Sequence, residues 1–168
     1  FIPATRVPGS WDRGYVQSVG GICTVVGDQL RFYYIGFKGG DSSSYMHSNG
    51  ATGMATLRRD GFASMSTAGE GSLTTRPVKF SGKYMFVNVN CPAGELKVEI
   101  LDKNNKVIDG FSADKCKAVT IDSTIQQVEW NGASDLSSLA GQEVRFRFKL
   151  KNGDLYAFWV SPSTNGES

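Results

Sequence analysis

The stretch Glu143–Leu150 limits the fold more than any other. Val144, Phe146, Phe148 and Leu150 alternate there with Arg145, Arg147 and Lys149. A period of two puts every apolar side chain on one face and every cation on the other, which an extended strand does and a helix does not. Glu95–Leu101 repeats the pattern, with Leu96, Val98 and Ile100 inward and Lys97 and Glu99 outward. Each such strand needs a second apolar layer to cover it. No window of the chain carries a sustained helical period, so the fold class is all-β.

The remaining segments fill in an antiparallel architecture. Phe1–Gly21, rich in Pro and Gly, reads as an extended opening segment. Ile22–Val26, the turn Gly27-Asp28 and Leu30–Ile35 predict an N-terminal β-hairpin. Gly53–Ser66 reads as a second hairpin, because Asp60-Gly61 separates two alternating runs and Gly tolerates the positive φ of a primed turn. Lys83–Val89 is apolar on both faces, as a central sandwich strand is. Val107–Phe111 and Ile125–Trp130 read as further strands, and Ser134–Gly141 as one helical or 3₁₀ turn. Lys151–Asp154 reads as a turn before the apolar run Leu155–Val160. Twenty glycines against five prolines in 168 residues suit many tight turns. The sum is ten to twelve short strands in an antiparallel β-sandwich, jelly-roll-like, with the N-terminal β-hairpin appended. Three parts are expected: 1–52 as opening segment and hairpin, 53–162 as sandwich, 163–168 as tail.

Composition excludes several functions. A formal net charge of +2, with no run of cations, gives no footprint for nucleic acid. No stretch reaches the ~18 apolar residues of a membrane helix. The chain opens on Phe1, not Met, and reads as a fragment or processed product, so a missing signal peptide says nothing. Cys23, Cys91 and Cys116 lack zinc-site spacing. Cys23 reads as a buried thiol, and Cys91 and Cys116 stand at loop-like positions where an oxidising setting would let them pair.

His47 is the only histidine and sits in a serine-rich loop, Phe37–Gly50, without a GxSxG elbow, so a hydrolase triad is disfavoured. No cofactor is expected. A structural calcium held by Asp and carbonyl oxygens stays open, with Asp28, Asp41, Asp102, Asp109 and Asp122 as donors. Each of them is more often a turn residue that caps its own backbone. Paired carboxylates can cleave glycosides, and Asp12 with Asp60 or Glu70 is the only set that suggests itself.

Sugar binding fits the composition best. A sugar ring offers an apolar face to aromatics and a rim of hydroxyls to Arg, Asp, Asn and Gln. Trp11, Tyr33, Tyr45, Trp130, Tyr156 and Trp159 are the platforms available, each more often core than platform. The expected ligand contacts are Arg58, Arg59 and Asp60 at the hairpin tip, with Trp11, Asp12 and Tyr45. Arginine forks hold vicinal hydroxyls and the aspartate accepts from one. A solvated strand edge explains the same charges without any ligand.

GMATLRRDGFASM, GSLTTRPVKFSGKYMFVNV and GELKVEILD, followed by GFSADKCKAVTIDSTIQQVEWNG and DLSSLAGQEVRFRFKLKNGDLYAFWVS, resemble the C-terminal β-sandwich of bacterial glycosidase-like proteins. Those proteins carry a five-bladed propeller of the invertase, levanase and arabinanase group. WDRGYVQSVGGICTVVGDQLRFYYIGF resembles the last blade, and the resemblance spans about residues 9–161. It implies that the catalytic carboxylates belong to earlier blades, which this chain lacks. It also implies similarity to carbohydrate-binding modules and a secreted or periplasmic bacterial setting. A non-catalytic module that binds poly- or oligosaccharide during polysaccharide degradation is the expected function. A glycoside hydrolase fragment and a purely structural sandwich are the alternatives. Unpaired last-blade strands invite self-association through an edge.

Overall fold

The computed structural model describes residues 2–21, 23–40 and 46–167. Among them are nine strands and one 3₁₀ turn. The strands are β1 (Tyr15–Ser18), β2 (Thr24–Val26), β3 (Gln29–Phe37), β4 (Gly50–Arg58), β5 (Met65–Thr74), β6 (Tyr84–Asn90), β7 (Glu95–Leu101), β8 (Asp122–Val128) and β9 (Arg145–Ser161). They form two antiparallel sheets and no closed barrel, an all-β arrangement of the sandwich class. The chain divides into two compact units, Phe1–Arg59 and Asp60–Ser168. No helix of the described residues is long and apolar enough to cross a membrane.

The first unit holds a four-stranded sheet built on β3. β1 and β2 share one edge of β3, and β4 covers the other in an unbroken register from Gln29↔Arg58 to Phe37↔Gly50. The β2–β3 hairpin forms as expected, with Gly27 at φ 57° in its turn. The second expected hairpin does not form. β4 pairs with β3, and β5 pairs with β9, so Asp60-Gly61 joins two units instead of two partner strands. A tight turn fixes at most one local pair, whereas β3 offers β4 nine.

The second unit is organised by β9, which runs seventeen residues through the expected turn at Lys151–Asp154. Leu155 lies opposite both Met65 and Val89, and Lys151 opposite both Glu70 and Glu95. Hence β5 follows one edge of β9, and β6 and β7 follow the other end to end. The chain makes this step at Cys91–Gly94, where the Gly94 N–H donates to the Cys91 carbonyl at 3.1 Å. β9 yields at the same level. Leu150 and Leu155 are both buried although they stand an odd offset apart, and Asn152 takes φ 44°. Two glycines allow the contact. A Cβ on Gly94 would stand 1.7 Å from the Lys151 carbonyl oxygen, and one on Gly153 2.6 Å from that of Asn90.

The core lies on the inward faces predicted by alternation. Leu96, Val98, Ile100, Val144, Phe146, Phe148 and Leu150 are all buried, with Met85, Val87 and Val89 of β6. Burying each large side chain contributes about 1.5–3 kcal/mol. Residues 107–119 pair with the outer edge of β7 through bridges Leu101↔Val107 and Leu96↔Val119, not through the separate strand expected at Val107–Phe111. Phe111 and Trp130 meet edge to face at 5.6 Å, and the indole Nε1 donates to the Val98 carbonyl at 2.9 Å. Leu139 of the 3₁₀ turn Ser137–Leu139 and Leu136 just before it are buried.

Glu99 departs from expectation. It is buried, and its carboxylate accepts from Arg147 Nη1 at 2.9 Å and Lys149 Nζ at 3.3 Å. Its position directly opposite Arg147 is what makes the pairing close. Cys91 and Cys116 do not pair. Both are buried free thiols, engaged with the Val119 carbonyl and the Val98 N–H respectively. Burial pushes both thiols up. Cys23 is half-buried and free.

Candidate functional site

Of the expected contacts the first unit holds Trp11, Asp12, Arg58 and Arg59 among the described residues, and it does not bring Trp11 and Arg58 together. Trp11 lies over Gly36 and Gly53, where an added Cβ would come within 2.4 and 2.6 Å of the indole. Its ring is tilted against Tyr34 at a centroid distance of 5.6 Å. The two glycines form its seat. Asp12 is buried and accepts from Ser10 Oγ at 2.6 Å and Thr5 Oγ1 at 2.8 Å. Those bonds, Ser10's first, hold its carboxyl below the usual range and tie down the opening segment. Arg58 ends β4 opposite Gln29. It stands five positions after Gly53, an odd offset, so its side chain points away from the Trp11 face. Five residues also mean about 17 Å along the strand. Arg59 donates its N–H to the Asp28 carbonyl at 2.8 Å. Asp60 opens the second unit with φ 53°. Tyr45 and Asp41 lie outside the described residues.

Other sequence candidates take structural places. His47 meets Tyr15 and Phe37 edge to face, at 4.8 and 5.4 Å. Asp102 caps its turn through the N–H groups of Asn104 and Lys106. Asp109 accepts from Lys115 Nζ at 3.1 Å and from the Gly110 N–H at 2.8 Å, and these hold it below the usual carboxylate range, Lys115 foremost. Among the described residues no three His, Cys, Asp or Glu side chains group as a metal site. Glu70 sits at the β5 bulge, 3.6 Å from Lys151 Nζ.

The second unit holds a better-formed site. A cavity of about 190 Å³ opens where β6 begins and β8 ends. Tyr84 and Trp130 supply its aromatic walls, and Lys83, Lys117, Gln127, Glu129 and Asp135 its polar ones. The sequence places these side chains by alternation: Val128 and Trp130 go to the core, so Gln127 and Glu129 face out. Backbone bonds fix the frame. Leu136 N–H donates to the Lys83 carbonyl at 2.8 Å, and Lys117 N–H to that of Glu129 at 2.9 Å. Lys117 Nζ then meets Glu129 Oε2 at 2.8 Å. Asp135 Oδ1 accepts the Ser137 N–H at 2.8 Å. That bond, the Ser137 side chain and the Lys83 charge hold its carboxyl below the usual range. Each carboxylate keeps a second oxygen as acceptor, and Gln127 brings both donor and acceptor.

Sequence reasoning flagged Trp130 as a platform but placed none of the polar partners beside it. The Gln127/Glu129 alternation was legible. The approach of Lys83, Lys117 and Asp135, from three other segments, was not. A wider groove of about 630 Å³ runs along β5, β9 and β7 beside Glu70, Ser72, Glu95, Lys97, Lys149 and Lys151, and it has no aromatic wall. With its sheets and this small cavity, the chain is an all-β protein with a polar, aromatic-walled recess. Comparison with protein-family models, with curated proteins and with solved structures returned no match.

Proposed function

We propose that this chain is a non-catalytic carbohydrate-binding module serving polysaccharide degradation, and that the recess beside Tyr84 and Trp130 takes one sugar ring of a longer glycan. The observation that carries the reading is the composition of that recess. Small-molecule sites of drug size usually occupy about 300–1,000 Å³, so a cavity of about 190 Å³ is suited to one ring. Tyr84, half-buried, offers an apolar surface to the ring, while Gln127, Glu129, Asp135 and two lysines can hydrogen-bond its hydroxyls. Charged partners strengthen such bonds. The residues first expected to bind sugar give way to this set, because Trp11 and Asp12 are engaged in holding the opening segment.

The catalytic alternative needs a carboxyl poised to donate a proton. Of its candidates, Asp12 with Asp60 or Glu70, Asp12 is held on the ionised side by Ser10 and Thr5, so it does not supply that proton. The purely structural alternative rests on a different observation. In the first unit Leu30 is the one buried apolar side chain among the described residues, so that sheet depends on a covering layer. Pull-down on insoluble glucans, xylan and fructans, with calorimetry on oligosaccharides, separates the readings. Retention by the native chain, weakened at least tenfold in Tyr84→Ala and in Gln127→Ala, is expected. No retention on any glycan overturns the binding role and leaves the structural one.

A further inference from the structure

We propose that β4 pairs antiparallel with β4 of a second copy of this chain, centred on Met54, and so joins two four-stranded sheets into one. Among the described residues β4 is laddered on one edge only, to β3. Its other edge presents the N–H and C=O of every second residue, a ready template for another strand. Proteins commonly blunt such edges by shortness, bulges, charge or proline. β1 and β2 are short, at four and three residues. β5, whose second edge also lacks a ladder among the described residues, is bulged between Thr67 and Glu70 and carries the glutamate. Of these protections β4 has only a charge at its last residue, Arg58. It runs nine residues without proline or register break, and no charge occurs from Gly50 to Leu57.

The strand is also its own complement. Centred on Met54, each Thr52 meets the other copy's Thr56, and each Arg58 meets a Gly50. The two Arg58 side chains then lie about 27 Å apart at opposite ends, out of reach of their mutual repulsion. Met54 is 49% exposed and its cross-strand neighbour Tyr33 44% exposed. Pairing aligns Tyr33, Met54, Met54 and Tyr33 in one row across the joined sheet and removes apolar surface from water. One strand pair buries far less than the roughly 1,200 Å² of a stable interface, so the dimer is weak and concentration-dependent. It is independent of the sugar site, which lies on other strands.

The test uses the full chain with single cysteines introduced on β4. Under mild diamide oxidation at about 100 μM, Met54→Cys should form a disulfide-linked dimer at least tenfold faster than Met65→Cys, whose site is 58% exposed in the other unit. A mixture of Thr52→Cys and Thr56→Cys should give the mixed dimer in preference to either homodimer, which reads the register directly. Met54→Lys should shift sedimentation of the native chain toward monomer. Equal crosslinking of Met54→Cys and Met65→Cys, or a native chain that sediments as monomer up to 500 μM, overturns the pairing. Far-ultraviolet circular dichroism checks that each variant remains folded.

Discussion

Replacing Gly94 by alanine tests the account of how β6, β7 and β9 meet. The added methyl would sit 1.7 Å from the Lys151 carbonyl oxygen and 2.7 Å from that of Asn152. Both obstacles are backbone, so no side-chain rotation relieves them. Real Cβ atoms essentially never come within 3.0 Å of such neighbours. The Cys91–Gly94 turn must therefore withdraw by more than an ångström from the bend in β9. That displaces the first pairs of β7, among them Glu95↔Lys151 and Leu96↔Leu150, and strains the Leu96–Val119 bonds of 2.8 and 2.9 Å. Overpacking costs about 1–3 kcal/mol, and weakening one or two backbone bonds adds about 1 kcal/mol. A loss of about 3 kcal/mol is expected. With a urea slope of about 1.5 kcal/mol/M, the unfolding midpoint falls by about 2 M at unchanged slope. Intrinsic fluorescence reports it through Trp130 and Trp159. Gly69→Ala is the control, since its Cβ would meet nothing within 4 Å, and it should move the midpoint by less than 0.5 kcal/mol equivalent. A Gly94→Ala midpoint indistinguishable from that of Gly69→Ala would refute the close approach.

Three further outcomes follow from named contacts. Phe148→Ala removes a ring packed 4.9 Å from Phe158 in the core and should cost about 3–5 kcal/mol in the same urea assay. Asp12 is held below its ordinary pKa, so its contribution is present above the unfolded carboxylate value of about 3.9 and is lost as pH falls through the folded value. Asp12→Asn should therefore weaken the first unit at pH 7 and flatten its acid unfolding below about pH 4, read through tryptophan fluorescence; parallel acid curves for the two proteins would contradict this. Cys91 and Cys116 are held above their ordinary pKa by burial, a contribution present below the unfolded thiol value and lost as pH rises through the folded one. At pH 8 a thiol reagent such as DTNB should leave two of the three thiols unmodified in the folded chain and find all three in denaturant.

What the amino-acid order settled by itself was the local period. Val144, Phe146, Phe148 and Leu150 had to share a face because neighbouring residues of a strand point opposite ways, and the same held for Leu96, Val98 and Ile100. The Gly27-Asp28 hairpin was equally legible, since its two strands are each other's partners. The tertiary structure decided everything that depended on which strand lay alongside. Asp60-Gly61 carries a hairpin's chemistry, yet β4 pairs with β3, the strand before it, and β5 with the long β9 far along the chain. Lys151–Asp154 has a turn's composition, yet ladder pairs on both edges, to Ser66–Glu70 and to Asn90 and Glu95, keep it inside a continuous strand. Glu99 stands at an outward position of its strand, yet Arg147 and Lys149 beside it leave it buried and paired. The recess is of the same kind, because Lys83, Lys117 and Asp135 come from segments with no shared local pattern. Alternation is a property of adjacent peptide units, whereas pairing and convergence are set by the free energy of contacts between residues distant in the chain.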